Sequence, residues 1–372
     1  MKVAFFGSCK TIFTHAYIRL LESENFEVKY FNNNVQDQKG AINYRSYIQH
    51  ENKSYLKKIM KFFNFDKSVF FLNFLEKREI NANLSENEKK ILRDELLYFN
   101  ADYLIFFWGT TFRKEIKFIK TLNISAQKII ILNTYPVRTK LNNWNENKFM
   151  AQDQEYFSFF DKLIFPSKSM YEVFNNSNYI DGKKVLINPD FIVHEKINYN
   201  KTNISAHDKK IIFLGNTDFS SRNIDDIRNI ILNIAKKGIK IYIQESHDAI
   251  KMINYSHNII TYKPFDFENI LNGDLIKYIN QFDGVLFSYN DVSKVRYNSS
   301  ITTRMLLAEG CDIPVFILGN RPEFLDDELI HGRFKCVSNI DELSNELTDV
   351  DKCLTGMTAF YRAKEFISFL KD

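Results

Sequence analysis

The chain has 372 residues, with 50 Lys and Arg against 46 Asp and Glu and a formal net charge of +4. That length is too great for one ordinary core and suits two domains of roughly 150 to 200 residues. A hydrophobic fraction of 45% with 26% charged residues excludes a disordered chain, and a small charge excess without a long basic stripe argues against nucleic acid as a partner. The four cysteines, Cys9, Cys311, Cys336 and Cys353, are scattered without a C-x-x-C pair. Free thiols in a reduced cytoplasm are therefore expected, and a structural zinc site is not.

The first half repeats a strand-then-helix rhythm. Lys2 to Phe6 is an apolar strand, Gly7-Ser8 a turn, and Ile12, Ala16, Leu20 and Leu21 fall at helical spacing behind it. Because the chain begins directly with a strand, no leader peptide is expected, and no apolar run reaches the roughly 18 residues of a membrane span. Further strands are predicted at Glu27 to Phe31, Tyr103 to Phe107, Lys128 to Leu132, Lys162 to Phe165 and Lys184 to Ile187. Short apolar strands alternating with helices imply a mostly parallel sheet covered on both faces. Tyr55 to Glu79 breaks the rhythm with a dense mixture of Phe and Lys. It reads either as a helix pair covering the sheet or as a stripe that docks on an anionic membrane interface.

The pattern starts again at Lys209 to Gly215. It continues through a helix at Asp225 to Lys236 and strands at Ile239 to Ile243, Ile259 to Tyr262, Gly284 to Phe287 and Pro314 to Leu318. The polar stretch Asn198 to Asp208 reads as a linker. The expected organisation is thus a first domain over residues 1–197, a linker over 198–208, a second domain over 209–355, and a helix over 356–372 packing back toward the first domain.

Residues 283–315 carry the strongest chemical signal. A strand is followed by a basic, hydroxyl-rich turn and a helix beginning among Ser299, Ser300, Thr302 and Thr303, with Arg296 and Arg304 beside it. Free N–H groups at a helix start, hydroxyls and guanidiniums together suit an anion, most simply the phosphates of a nucleotide sugar. Asp349-Val350-Asp351 has D-x-D spacing but falls after the last predicted strand, and no cluster has metal-ligand spacing, so no metal is expected.

Several local patterns resemble the GT-B glycosyltransferases, in particular family-4-like bacterial surface-polysaccharide enzymes. Phe165-Pro166-Ser167 is similar to that family's strand ending in Ser, and Val185 to Phe191 to its crossover between domains. Ile211 to Asn223 is similar to the strand and glycine that open the nucleotide-sugar domain. Ala308-Glu309-Gly310 with Pro314-Val315 approximates its A-x-G-x-P-V element. The chain departs from the family in having Met305, with Arg304 beside it, where a ribose-binding glutamate is usual, and Asn216 where a basic residue follows the glycine. The resemblance implies an α/β GT-B fold, two Rossmann-like domains facing a central cleft. It implies a glycosyltransferase moving sugar from a nucleotide-sugar donor to a glycan or lipid-linked acceptor of the capsule or lipopolysaccharide kind.

On this basis Gly215, Arg222, Lys294, Arg296, Ser300, Thr302, Thr303, Arg304 and Glu309 are the donor-side candidates. Ser8, Lys10, Trp108, Thr110, Tyr135 and Arg138 follow first-domain strands and are expected on the acceptor side. A base for the acceptor hydroxyl is sought in Asp153 or His15, with Asp102 behind them. No cofactor is expected beyond the donor substrate. The expected location is cytoplasmic, with peripheral contact at the inner membrane if Tyr55 to Glu79 docks on lipid. A nucleotide-sugar 2-epimerase and a non-catalytic nucleotide- or glycan-binding module are the alternatives.

Overall fold

The computed structural model describes residues 1–34, 39–45, 83–135, 156–176, 180–192, 209–215, 217, 219, 227–288, 294–309, 311, 313–326, 334–347 and 357–372. Tyr55 to Glu79, Asp153, Arg138, Arg222 and the D-x-D at 349–351 lie outside these residues. Two compact units emerge. The first comprises residues 1–133, 140–165 and 172–187, and the second 134–139, 166–171 and 188–372.

The first unit is built on a seven-stranded sheet: β1 (Lys2–Gly7), β2 (Glu27–Asn32), β3 (Ala41–Asn43), β4 (Tyr103–Phe107), β5 (Gln127–Ile131), β6 (Lys162–Phe165) and β7 (Lys184–Ile187). Its order is β3-β2-β1-β4-β5-β6-β7, and every pair is parallel. Register explains the core. Phe6 is aligned with Phe31 and Phe106 on its two neighbours, so the three rings stack across one face with centroids 4.8 and 4.5 Å from Phe6. Phe112, which leads into α3 (Arg113–Ile119), closes that face edge-on to Phe6. On the other face Phe5 meets Tyr17 of α1 (Ile12–Ser23) and Phe107. Burying a ring of this size contributes roughly 1.5–3 kcal/mol.

These contacts correct the predicted helix face. The buried stripe of α1 is Phe13, Thr14, Tyr17 and Leu21, whereas Ile12, Ala16 and Leu20 are only half-buried. The helix rotates to set its aromatic residues on the β1 rings, and the end of β1 accommodates it with a glycine. A Cβ on Gly7 would lie 2.7 Å from Thr14 Cγ2. Helix α2 (Glu86–Phe99) starts with a capping box, in which the Ser85 side chain accepts from Glu88 N–H and the Glu88 carboxylate accepts from Ser85 N–H. Helix α4 (Lys168–Asn175) follows β6.

The second unit carries β8 (Lys210–Phe213), β9 (Lys240–Gln244), β10 (Ile259–Tyr262), β11 (Gly284–Phe287), β12 (Val315–Leu318) and β13 (Phe334–Val337) in the order β10-β9-β8-β11-β12-β13, again all parallel. Its helices are α5 (Arg228–Lys236), α6 (His247–Ile253), α7 (Phe267–Leu271), α8 (Asp274–Ile279), α9 (Lys294–Ser299), α10 (Thr303–Glu309), α11 (Ile340–Glu346) and α12 (Met357–Lys371). Ile211, Ile231, Ile234, Ile241, Leu286 and Phe316 lie in one buried cluster between helices and sheet. The last helix, α12, packs on the stretch after β7. Asn188 Nδ2 donates to Arg362 O, Arg362 Nη1 donates to Asp190 O, and Phe191 and Phe366 are in ring contact. All of these residues belong to the second unit.

The strands β3 and β13 are additions to the sequence-based expectation. β3 is only three residues long, and the buried and half-buried positions of β13 do not alternate. Neither carries a period that sequence patterning detects. Among the described residues, no helix is long and apolar enough to cross a membrane.

Candidate functional site

In open parallel sheets, ligands collect outside the carboxyl ends of the strands, where the strand order reverses. Each unit has one such point, between β1 and β4 in the first and between β8 and β11 in the second.

In the first unit the turns after β1, β2 and β4 bring several neutral side chains to this edge. The Ser8 hydroxyl accepts from Asn34 Nδ2 at 2.8 Å and from the N–H of Lys10 at 3.2 Å. Buried Asn32 ties three strand ends together. Its Oδ1 accepts from the N–H groups of Cys9 and Asn34, while its Nδ2 donates to Asn43 Oδ1 at 2.8 Å. Lys10 is exposed beside this bracket. At the end of β4, Trp108 holds φ 53° and ψ 53°. Among the described non-glycine residues the other positive φ values belong to Asn25 and Asn100. An indole in this left-handed region is strained by about 1–2 kcal/mol. The conformation is held locally, because the Trp108 carbonyl accepts from both the N–H and the hydroxyl of Thr111, and the ring stacks on Phe107 at 5.0 Å. Half-buried Thr110 lies in the same turn. Beneath it, the Tyr156 hydroxyl donates to Gly109 O and Arg113 covers the Tyr156 ring at 4.6 Å. Ser8, Lys10, Trp108 and Thr110 thus share one edge of one sheet.

The candidate bases are placed differently. His15 is half-buried on α1, its ring edge-on to Tyr30 at 6.3 Å. Burial, reinforced by neighbouring Cys9, pushes the Tyr30 phenol well above its ordinary range. Asp102 sits at the opposite, amino-terminal edge of the sheet, where its carboxylate accepts from Lys2 N–H at 2.7 Å. That position is a correction: Asp102 joins two strand starts and stands away from the carboxyl edge.

In the second unit β8 ends at Phe213, and Leu214-Gly215 follow it. The neighbouring Thr217 hydroxyl donates to Gln244 O at 2.8 Å, and its carbonyl accepts from Ser246 Oγ at 2.9 Å. Gly215 is crowded, since a Cβ there would lie 1.6 Å from the Phe213 ring. After β11 the chain forms α9, a break at 300–302, and α10. The hydroxyl-rich turn therefore separates two short helices instead of opening one long one. Ser299 and Ser300 are buried, whereas Arg296, Thr302, Thr303 and Arg304 are half-buried. The Ser299 hydroxyl donates to Val295 O, and Ser300 Oγ accepts from Tyr135 N–H at 3.2 Å and donates to Tyr135 O at 3.3 Å. Thr302 Oγ1 accepts from Met305 N–H at 3.3 Å, which leaves its own proton for a ligand. Arg304 acts on the Tyr262 phenol at the end of β10. Burial and Tyr278 drive that phenol well up, and the guanidinium pulls it back. Arg304 and Tyr262, the last residue of β10, are thus within electrostatic reach of each other, and Thr302 and Thr303 precede Arg304 in the chain. Lys294 and Glu309 fall in α9 and α10. Tyr135 is buried and clusters with the second unit.

Tyr262, Thr217 and the Asn32–Asn34 pair were not singled out from the sequence. The cue available there was their place directly after or at the ends of predicted strands. Among the described residues no group of three or more His, Cys, Asp or Glu is disposed to hold a metal.

No protein-family model matches the sequence, and no curated protein matches it significantly. Solved structures do. A sucrose-phosphate synthase from Thermosynechococcus elongatus superposes with a TM-score of 0.59 at 10% identity, covering 100% of this chain and 97% of that one. The lipopolysaccharide outer core galactosyltransferase WaaB gives 0.53 at 12% identity over 100% and 99% of the two chains. A candidate UDP-N-acetylglucosamine 2-epimerase from Listeria monocytogenes gives 0.53 at 12% identity over 100% and 95%. At such identities the likeness is one of fold: two Rossmann-like α/β sheets of the GT-B kind.

Proposed function

We propose that this protein is a glycosyltransferase that moves a sugar from a nucleotide-sugar donor to a glycan or glycolipid acceptor, of the kind built into bacterial surface polysaccharide. The observation that carries this reading is the succession of half-buried Thr302, Thr303 and Arg304 at the start of α10, with the Arg304 charge felt by Tyr262 at the end of β10. Hydroxyl and guanidinium donors there suit the phosphates of a departing nucleotide. Arg296, Lys294, Arg222, Gly215 and Glu309 complete the proposed donor set, and Ser8, Lys10, Trp108 and Thr110 the acceptor set, with Arg138 nearby in sequence. Two of the similar folds are named for sugar transfer or sucrose-phosphate synthesis.

In the proposed reaction the bond between the sugar's anomeric carbon and the phosphate oxygen breaks, and the nucleotide leaves with the electron pair. The acceptor oxygen bonds to that carbon, and its proton passes to Asp153 or His15 if configuration inverts. Binding and orientation of both substrates supply much of such an acceleration. The reaction is proposed to need no metal, so turnover should survive chelation.

The epimerase fold neighbour supports a second reading, in which the same donor set holds a nucleotide sugar whose C2 configuration changes. Incubation with a panel of nucleotide sugars decides between them. A transferase slowly hydrolyses its donor, an epimerase changes the sugar with the nucleotide still attached, and a binding module does neither.

A further inference from the structure

We propose that Ser167 and Ser300 are positioning residues that fix the turn between α9 and α10, so that Thr302, Thr303 and Arg304 present their donors to phosphate. This rests on the donor-site reading above. Helix α9 ends with carbonyls that lack partners within the helix, as every helix does. Here the last ones are met by serine hydroxyls: Ser167 Oγ donates to Ser299 O at 2.6 Å, and Ser169 Oγ donates to Asn298 O at 3.3 Å. Ser167 is fully buried, and its Oγ also accepts from Met170 N–H at 3.1 Å at the start of α4. One hydroxyl therefore caps the beginning of α4 and the end of α9 together.

One residue further on, Ser300 is 2% exposed, and its proton is committed to the Tyr135 carbonyl while its oxygen accepts from the Tyr135 N–H. A hydroxyl whose single proton is already given to a buried carbonyl has none to give a phosphate. Ser300 was expected among the donor ligands; its bonding assigns it the task of holding the backbone that carries them. Tyr135, Ser167 and Ser169, which follow β5 and β6 in sequence, cluster with the second unit and supply this hold. The turn is thus tied at two consecutive residues, and Thr302, immediately before α10, follows it.

The test uses the full chain. Ser167→Ala, Ser300→Ala and Ser300→Thr are compared with wild type by hydrogen exchange without ligand, and by calorimetry with UDP, GDP, CMP and TDP. Leu343→Val, in the second unit's core, serves as a control of similar thermal destabilisation. Faster exchange at residues 298–306 in both alanine variants is expected, together with about fivefold weaker binding of the nucleotide that wild type prefers, the scale of one lost neutral hydrogen bond. Ser300→Thr should restore affinity, and Leu343→Val should leave it unchanged. If Arg304→Ala weakens binding while both alanine variants keep wild-type exchange and affinity, the positioning role falls and the donor site stands. If wild type binds none of the four nucleotides, the donor-site reading fails and the inference with it.

Discussion

The two switch points share one topology and differ in chemistry. Among the described residues of the first sheet, the end of β2 and the turns after β1, β2 and β4 carry Ser8, Asn32, Asn34, Trp108 and Thr110, with exposed Lys10 beside them, Arg45 ion-paired to buried Glu115 and Arg113 over the Tyr156 ring. The second ends in hydroxyls with Arg296 and Arg304 half-buried among them. Amides and an indole suit a neutral hydroxyl-rich molecule, and guanidiniums suit phosphate. One fold used twice thus carries different residues after its strands, which is why fold alone does not specify function.

The most severe break in this comparison would come from the acceptor's base. Asp153→Asn or His15→Ala should lower kcat by about two to four orders of magnitude with nucleotide affinity unchanged. Wild-type turnover in both, measured with the donor that the panel identifies, would remove them. Next comes the first unit's frame: Phe6→Ala should cost about 3–5 kcal/mol, because the stacked trio with Phe31 and Phe106 loses its middle ring. Denaturant unfolding checks this, and an effect below about 1 kcal/mol would mean that the ring stack is not central to the fold.

Arg304 and Lys10 compare the two edges directly. Arg304→Ala should weaken nucleotide binding by on the order of 2 kcal/mol, whereas Lys10→Ala should leave it unchanged. Calorimetric titration of both with one nucleotide reads the difference, and equal losses would erase the assignment of the two edges. At Trp108 the indole sits in a conformation that Asn adopts readily. Trp108→Asn should therefore shift stability by no more than about 1 kcal/mol while glycan capture on an array falls; capture at the wild-type level would reduce Trp108 to a structural residue.

The smallest effect concerns alkaline pH. Tyr44 donates to buried Glu115 at 2.9 Å, and burial first, then that carboxylate, raises its phenol well above 10.0. A raised folded-state value means that the stabilisation is complete below the unfolded value and is lost as pH climbs past it toward the folded one. Stability should hold through neutral pH and fall above about pH 10. Tyr44→Phe, followed by thermal melts across that window, should show a shallower fall, and an unchanged slope would exclude Tyr44 as a source of it.

Much of the architecture was already legible in the residues. The apolar runs at Lys2–Phe6, Tyr103–Phe107, Lys162–Phe165 and Gly284–Phe287 are strands within a residue of their expected ends, because a strand buried on both faces must be apolar at every position. The restart of the same rhythm near Lys209 foretold a second sheet. By contrast, the rotation of α1 onto Tyr17 depended on which rings β1 and β4 present, and the short strands β3 and β13 depended on having a neighbour to pair with. The hydroxyl-rich turn between α9 and α10 divides in the same way. Its hydroxyls and arginines were plain in the sequence as residue types, since composition at a strand end is a local property. That Ser300 holds the Tyr135 backbone while Thr302 keeps a proton to give is a matter of hydrogen-bond partners 165 residues apart in one case and three in the other. Only the folded chain brings the distant partner within reach, so tertiary structure alone separates the hydroxyl committed to a remote backbone from the one bonded within its own turn.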